Sequence, residues 1–240
     1  VQQGYFNSCG AGSSMQLLAR SQPAEFARLV TGLARDGQVR TQGGMDLQLH
    51  PAWNTGIAGT EAALGQHARD LASAIMQPAF MNAMAARMPD SPFAGGGQPY
   101  QNRQSGGDSF RNSDGIPVFD DIVVPGAFPG QQAELLTNLT GRRYDPQWGN
   151  GGGVLPGDVV AEGQSLVQGG NLRRQDPWAR ASEREPVTLA LAYGPSASPH
   201  WLTAIGVEDG RVQFLNPHGV RESIPVDQVR ARLIAASVPD

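Results

Sequence analysis

Residues 186–219 read PVTLALAYGPSASPHWLTAIGVEDGRVQFLNPHG, and this stretch decides the fold. Its first part, VTLALAYG, alternates with a period of two, as a half-buried strand does. Residues 200–207 predict a second strand, Glu208-Asp209-Gly210 a hairpin turn, and residues 211–215 a returning strand. The stretch therefore predicts antiparallel strands near the carboxyl-terminal end of the chain.

Upstream of this stretch the sequence is mainly helical. Phe26, Leu29, Val30 and Leu33 recur at helical spacing, after a proline at position 23 that suits the first turn of a helix. The predicted helices span residues 10–20, 23–36, 60–76 with Thr60 as N-cap, 80–88 after a break at Pro78, 129–140, and a last one that Asp227 caps and that carries Val229, Leu233 and Ile234. Helices that precede strands, rather than alternate with them, predict an α+β fold.

The expected organisation is a single domain over residues 1–240 with two lobes. A helical lobe covers roughly residues 1–140, and a sheet-rich lobe covers residues 186–240. Residues 38–58 and 145–185 are polar or glycine-rich and predict irregular structure. Residues 91–115 carry almost no aliphatic side chains, which predicts a flexible insert.

The composition excludes several classes of protein. The chain has one cysteine, so it holds no internal disulfide framework and no multi-thiolate zinc site. Its net charge of -4 gives no sign of nucleic-acid binding, and no apolar run is long enough to span a membrane. His50 and His67 have no carboxylate at metal-binding spacing. We therefore expect neither a metal nor a cofactor.

All 18 basic residues are arginine, and the chain has no lysine. A bacterial genome rich in G and C favours arginine codons and would explain this bias. A protein that works inside a eukaryotic host would also gain from losing lysines, because lysines accept ubiquitin. The two explanations are compatible.

The single cysteine stands in QGYFNSCGAG, residues 3–12, where the first helix begins. A thiol at the amino-terminal end of a helix lies among free backbone N–H groups, which favour the nucleophilic thiolate. Gly10 leaves room for a substrate backbone to approach. The alternative is that Cys9 is a small, inert, buried residue.

A thiol nucleophile needs a base and a group that orients the base, and His200 and Asn216 fit these roles. His200 begins a strand, and Asn216 ends the returning strand 16 residues later. Because the midpoint of the two lies in the predicted turn, we expect them to be cross-strand neighbours. An amide oxygen at position 216 would fix the imidazole ring. His218 is expected to pack against this pair, and Trp201 to face the opposite side of the sheet.

The order Cys, His, Asn, with the last two on a hairpin, resembles that of papain-like cysteine peptidases. Gln3 precedes Cys9 by six positions, like the family's oxyanion-hole glutamine. Asn216-Pro217-His218-Gly219 resembles the calpain-type Asn-Pro-Trp-Gly, with His218 in place of the tryptophan. Some bacterial papain-like peptidases have a similar Gln followed by Cys-Gly near the amino-terminal end, and a His followed by an Asp near the carboxyl-terminal end. In this chain Asn216 stands at the position of that Asp.

The resemblance implies a papain-like α+β fold in which a helical lobe bears Cys9 and an antiparallel β lobe bears His200 and Asn216. It implies a cysteine protease, with Gln3 and the Cys9 N–H as the oxyanion hole. The likeness covers about 20 residues at the head and 35 at the tail. Residues 40–185 match nothing in the family, and the aromatic residue that usually follows the family's cysteine is missing.

With the arginine-only composition, the expected protein is a secreted bacterial virulence effector or toxin, delivered into the host cytosol, that hydrolyses an amide bond in a host protein. Two alternatives stay open. One is a glutamine deamidase or transglutaminase that uses the same residues, and the other is a non-enzymatic binding module on the same scaffold. Since few residues lie upstream of Gln3, a removed or missing amino-terminal segment is expected.

Overall fold

The computed structural model describes residues 1, 8–49, 69–85, 100–101, 109–110, 129–149, 176–194 and 198–240. The helices are α1 Cys9–Ser21, α2 Pro23–Asp36, α3 Leu71–Ala85, α4 Pro129–Thr140 and α5 Val226–Arg232, with a 3₁₀ turn at Pro177–Arg180. The strands are β1 Gln38–Arg40, β2 Asp46–Gln48, β3 Tyr100–Gln101, β4 Ser109–Phe110, β5 Tyr144–Trp148, β6 Val187–Tyr193, β7 Ser198–Glu208, β8 Arg211–Asn216, β9 Val220–Pro225 and β10 Leu233–Pro239.

The main sheet has six strands in the order β5-β10-β6-β7-β8-β9, and every neighbouring pair is antiparallel. The short pairs β1-β2 and β3-β4 are antiparallel as well. Because most described helices precede the sheet in sequence and pack beside it, the fold is α+β, as predicted. None of the described helices combines the length and apolar character that a membrane span requires.

The described residues form two large hydrophobic cores. The helical core is built from α1 to α4 and the β1-β2 hairpin, and the sheet core lies under β6, β7, β8 and β10. A small third cluster joins them, which we call the junction cluster: Cys9, Ala190, Trp201, Ile234 and Ala235. The candidate nucleophile thus lies where α1 packs against β6, β7 and β10.

The helix predicted from Phe26, Leu29, Val30 and Leu33 is α2. Leu29 and Leu33 are fully buried in the helical core, and the other two are partly buried against it. Gly37 ends the helix in the left-handed conformation, with φ 69°. The local sequence pattern was sufficient to predict α2, because the apolar periodicity and the terminating glycine indicate the same helix.

Two helix predictions need correction. Pro78 does not break a helix but lies inside α3, where burial among apolar neighbours offsets the hydrogen bond that proline cannot donate. The last helix ends at Arg232, and Leu233 and Ile234 begin β10 instead. A continuous apolar run of this length is typical of a strand buried between two neighbours, and periodicity alone does not distinguish it from a helix.

Two segments predicted to be irregular contain strands. The β1-β2 hairpin lies within residues 38–58, and β5 runs from Tyr144 into residues 145–185 and forms an edge of the main sheet. Inside the predicted insert, β3 and β4 pair with each other, and the rest of residues 91–115 lies outside the described residues. The expected N-cap Thr60 and the end of the stripe at Met88 also lie outside them.

Candidate active site

Cys9 is the first residue of α1, and its side chain is only 6% exposed. The Cys9 side chain packs with Trp201 of β7, whose backbone is one of the groups that lower the pKa of the thiol. The Trp201 side chain belongs to the junction cluster, whereas His200 lies opposite Leu191, whose side chain is in the sheet core. Trp201 therefore faces away from His200, as predicted.

The protonation of the Cys9 thiol differs from the expectation. Backbone hydrogen bonds from Trp201 and Gly10 lower its pKa, as the position at a helix start predicts. Burial has the larger effect and raises the pKa above the ordinary thiol value. The resting thiol is therefore protonated at neutral pH, and the thiolate predicted from the helix position is wrong for this arrangement.

His200 and Asn216 are diagonal neighbours on one face of the sheet. Thr203 lies opposite Leu215, and continuing that register places Asn216 opposite Leu202. The two site residues are thus close but offset by two positions from the directly opposite pair that the sequence predicted. Diagonal side chains on one face are still within reach of an imidazole.

A β-bulge in β7 sets this arrangement. The register with β8 shifts between Ala204 and Gly206, because Ile205 is an extra residue. Gly206 has a φ of 155°, a conformation that residues with a side chain rarely adopt. Since side chains alternate between the two faces of a strand, this one-residue shift puts Asn216 on the same face as His200.

The two side chains are hydrogen-bonded to each other in a buried position. His200 Nε2 lies 3.0 Å from Asn216 Oδ1, and the two residues are 8% and 2% exposed. The His218 backbone N–H donates to the same oxygen, also at 3.0 Å. The structure therefore brings the predicted base and its orienting group together.

His218 takes the packing role predicted for it. Its ring stacks on the His200 ring with centroids 5.1 Å apart and an angle of 11° between the planes. Tyr193 lies against the His200 ring as well, with centroids 4.9 Å apart. Neighbouring rings restrict the rotation of the imidazole, so the hydrogen bond to Asn216 is held in one geometry.

Burial lowers the pKa of His200 below its ordinary value. The hydrogen bond to Asn216 and the negative charge of Glu222 raise the pKa, while the neighbouring His218 lowers it. The net direction favours a neutral imidazole at neutral pH.

Tyr193 and Glu222 belong to this cluster, although sequence reasoning did not identify them. The Tyr193 hydroxyl donates to the Glu222 carboxylate, with both oxygens at 2.7 Å. Asn216 Nδ2 donates to Glu222 Oε1 at 2.5 Å and lies 3.3 Å from the Tyr193 hydroxyl. A strand prediction for VRESIP, residues 220–225, would have been the available signal, because it places Glu222 diagonally across from Asn216.

Three contacts hold α1 against the strands of the site. Ser13 Oγ donates to the Trp201 carbonyl at 2.9 Å, and Thr203 Oγ1 donates to the Ser13 carbonyl at 3.1 Å. Gln16 Nε2 donates to the Asn216 carbonyl at 3.1 Å. These bonds fix the helix that carries the thiol relative to the strands that carry the imidazole and the amide.

The remaining predicted residues are not placed. Gln3, His50 and His67 lie outside the described residues. Within the described part of the chain, no group of three or more His, Cys, Asp and Glu side chains is arranged to hold a metal ion.

Comparison with known proteins adds no assignment. No family model matches the chain, and no curated protein matches it significantly. The arguments for function therefore rest on the site itself.

Proposed function

We propose that the chain is a papain-like cysteine peptidase in which Cys9 is the nucleophile, His200 the base and Asn216 the orienting group. The observation that carries the proposal is the hydrogen bond of 3.0 Å between His200 Nε2 and Asn216 Oδ1, beside a helix that begins at a cysteine. The α+β architecture with a junction cluster containing Cys9 supports a papain-like fold.

The proposed reaction begins with a neutral pair. Because Nε2 of His200 donates to Asn216, Nδ1 is the ring nitrogen that accepts the thiol proton. The sulfur of Cys9 attacks an amide carbonyl carbon, and the Cys9 N–H, with Gln3, stabilises the developing oxyanion. The imidazolium gives its proton to the leaving amine as the C–N bond breaks. A water molecule, deprotonated by His200, then hydrolyses the thioester and releases a carboxylate, which regenerates the thiol.

The substrate proposed is an amide bond of a host protein, and the protein is proposed to be a secreted bacterial effector or toxin that acts in the host cytosol. The absence of lysine supports this setting, because a lysine-free chain offers no side-chain amine for ubiquitin attachment. A glutamine deamidase or transglutaminase would use the same three residues. Mass spectrometry of exposed host proteins separates them, since a peptidase produces fragments and a deamidase converts glutamine to glutamate within an intact chain.

A non-enzymatic binding module is the second candidate, and the burial of Cys9 favours it. A thiol that is 6% exposed with a raised pKa resembles an inert core cysteine. The hydrogen-bonded imidazole and amide are not needed in such a module. The two candidates therefore differ in whether His200 activates Cys9.

Alkylation by an epoxysuccinyl peptide, which reacts with thiols that a neighbouring imidazole activates, tests the proposal. We expect an adduct on Cys9 in the wild-type chain and none in His200→Gln. After denaturation both proteins should react fully with iodoacetamide, which shows that the thiol is intact in each. Glu208→Gln, an exposed change in the β7-β8 turn, is the matched control and should react like the wild type. Equal labelling of wild type and His200→Gln, or no labelling of either, would favour the binding module.

A further inference from the structure

The side-chain amide of Asn216 has partners on both sides. Its oxygen lies 3.0 Å from His200 Nε2 and accepts a hydrogen bond from the His218 backbone N–H, also at 3.0 Å. Its nitrogen faces the Glu222 carboxylate at 2.5 Å and the Tyr193 hydroxyl at 3.3 Å. The amide is therefore fully paired, although Asn216 is almost completely buried.

These partners permit only one orientation of the amide. A rotation by half a turn would place the amide nitrogen against the His218 backbone N–H, which cannot accept a hydrogen bond. It would also place the amide oxygen against the Glu222 carboxylate, which accepts but does not donate when ionised. The oxygen must therefore face His200, and His200 must carry its proton on Nε2.

We propose that Glu222 is a positioning residue of the active site, which fixes the His200 tautomer through Asn216 and supplies negative charge behind the imidazole. This inference rests on the proposed function. In a triad with an aspartate, one residue both orients and stabilises the imidazolium. Here the two tasks are divided, because the neutral Asn216 orients the ring and Glu222 carries the charge.

Among the described residues, the titratable groups around His200 come from three elements. Tyr193 approaches from β6, His218 from the turn after β8, and Glu222 from β9. Glu222 is the acidic group among the described neighbours that holds the amide directly. The Tyr193 hydroxyl donates a hydrogen bond to the same carboxylate and so holds Glu222 in place.

Nitrogen-15 NMR of the histidine rings in the full chain tests the proposal without a substrate, with His200→Gln used to assign the resonances. We expect the Nε2–H tautomer in the wild type and in Glu222→Gln, whose amide oxygen still accepts from Asn216. The His200 pKa should fall in Glu222→Gln, because the negative charge is lost. In Glu222→Ala both the charge and the acceptor are lost and only the His218 N–H still holds the amide, so a fraction of the Nδ1–H tautomer should appear. Glu208→Gln is the control that should change neither quantity.

A pair of exchanged variants adds a kinetic test. Asn216→Asp places two carboxylates at hydrogen-bonding distance and should slow epoxysuccinyl alkylation of Cys9 by about 10- to 100-fold, the effect of losing a charged hydrogen bond. The double variant N216D/E222Q restores a donor between the two positions and should recover most of the rate.

Two results would overturn the inference. One is a His200 tautomer and pKa that stay unchanged in both Glu222 variants, and the other is a double variant that reacts no faster than Asn216→Asp. If the wild type is not alkylated at all, the proposed peptidase activity fails, but the NMR arm still decides the role of Glu222.

Discussion

Gly12 lies one turn after Cys9, and replacing it tests how closely the two halves of the site must pack. A Cβ atom at this position would lie 2.9 Å from Pro217 Cβ and 3.5 Å from Pro217 Cγ. Pro217 lies between Asn216 and His218, and its rigid pyrrolidine ring cannot change rotamer to relieve the contact. Gly12→Ala must therefore push α1 and the β8-β9 turn apart by several tenths of an ångström.

The size of the effect follows from two opposing terms. Overpacking a tight contact costs about 1–3 kcal/mol, whereas exchanging glycine for alanine inside a helix gains about 1 kcal/mol. We therefore expect Gly12→Ala to lower the free energy of unfolding by about 1 kcal/mol. Gly130 in α4 has nothing within 4 Å of its Cβ position, so Gly130→Ala is the matched control and should raise stability slightly.

Urea unfolding of both variants, followed by circular dichroism, measures the difference. The displaced helix should also slow alkylation of Cys9 in Gly12→Ala and leave the rate unchanged in Gly130→Ala. If Gly12→Ala proves as stabilising as Gly130→Ala, the close contact between α1 and Pro217 is not present in solution, and the geometry described for the site is wrong.

Three further predictions concern the thiol, the helix contact and the tyrosine. Because burial raises the pKa of Cys9, iodoacetamide should alkylate it more slowly in the folded protein than it alkylates a free thiol at pH 7. The rate should rise only when the pH exceeds the ordinary range of thiol pKa values, as peptide mass spectrometry will show. Fast labelling at pH 7 would contradict this prediction. Thr203→Val removes the hydrogen bond to the Ser13 carbonyl and should lower the free energy of urea unfolding by about 1 kcal/mol, and an unchanged value would count against the contact. Burial and Glu222 raise the pKa of Tyr193 to about 12, so its contribution to stability is complete below the unfolded value of about 10 and is lost as the pH rises through 12. Ultraviolet difference titration of wild type against Tyr193→Phe checks it, and a phenol that titrates near 10 would refute it.

The sequence alone predicted those parts of the structure that local patterns determine. The turn at Asp209 and Gly210 forms as expected, with φ of 48° and 70°, and the strands on either side follow from it. The association of His200 with Asn216 follows from the same hairpin. Its register does not, because the bulge at Ile205 depends on contacts across the sheet rather than on spacing.

Other features also depend on tertiary contacts, so they could not be predicted from the sequence. The strand that begins at Leu233 resembles a helix until its neighbours on both sides are known. The protonation of Cys9 is set by burial, which outweighs the helix position that the sequence revealed. Glu222 joins the site only through the register between β8 and β9.

The bonds that join α1 to the sheet connect residues almost the whole chain apart. Ser13 and the Trp201 carbonyl are separated by 188 residues, and Gln16 and the Asn216 carbonyl by 200. Contacts over such sequence distances form late and slowly, because a long loop must close before they contribute. During synthesis, α1 leaves the ribosome long before β7 and β8 exist. The helix that carries Cys9 therefore stays without these partners until β7 and β8 have been synthesised, so a chain truncated before β7 cannot form these contacts.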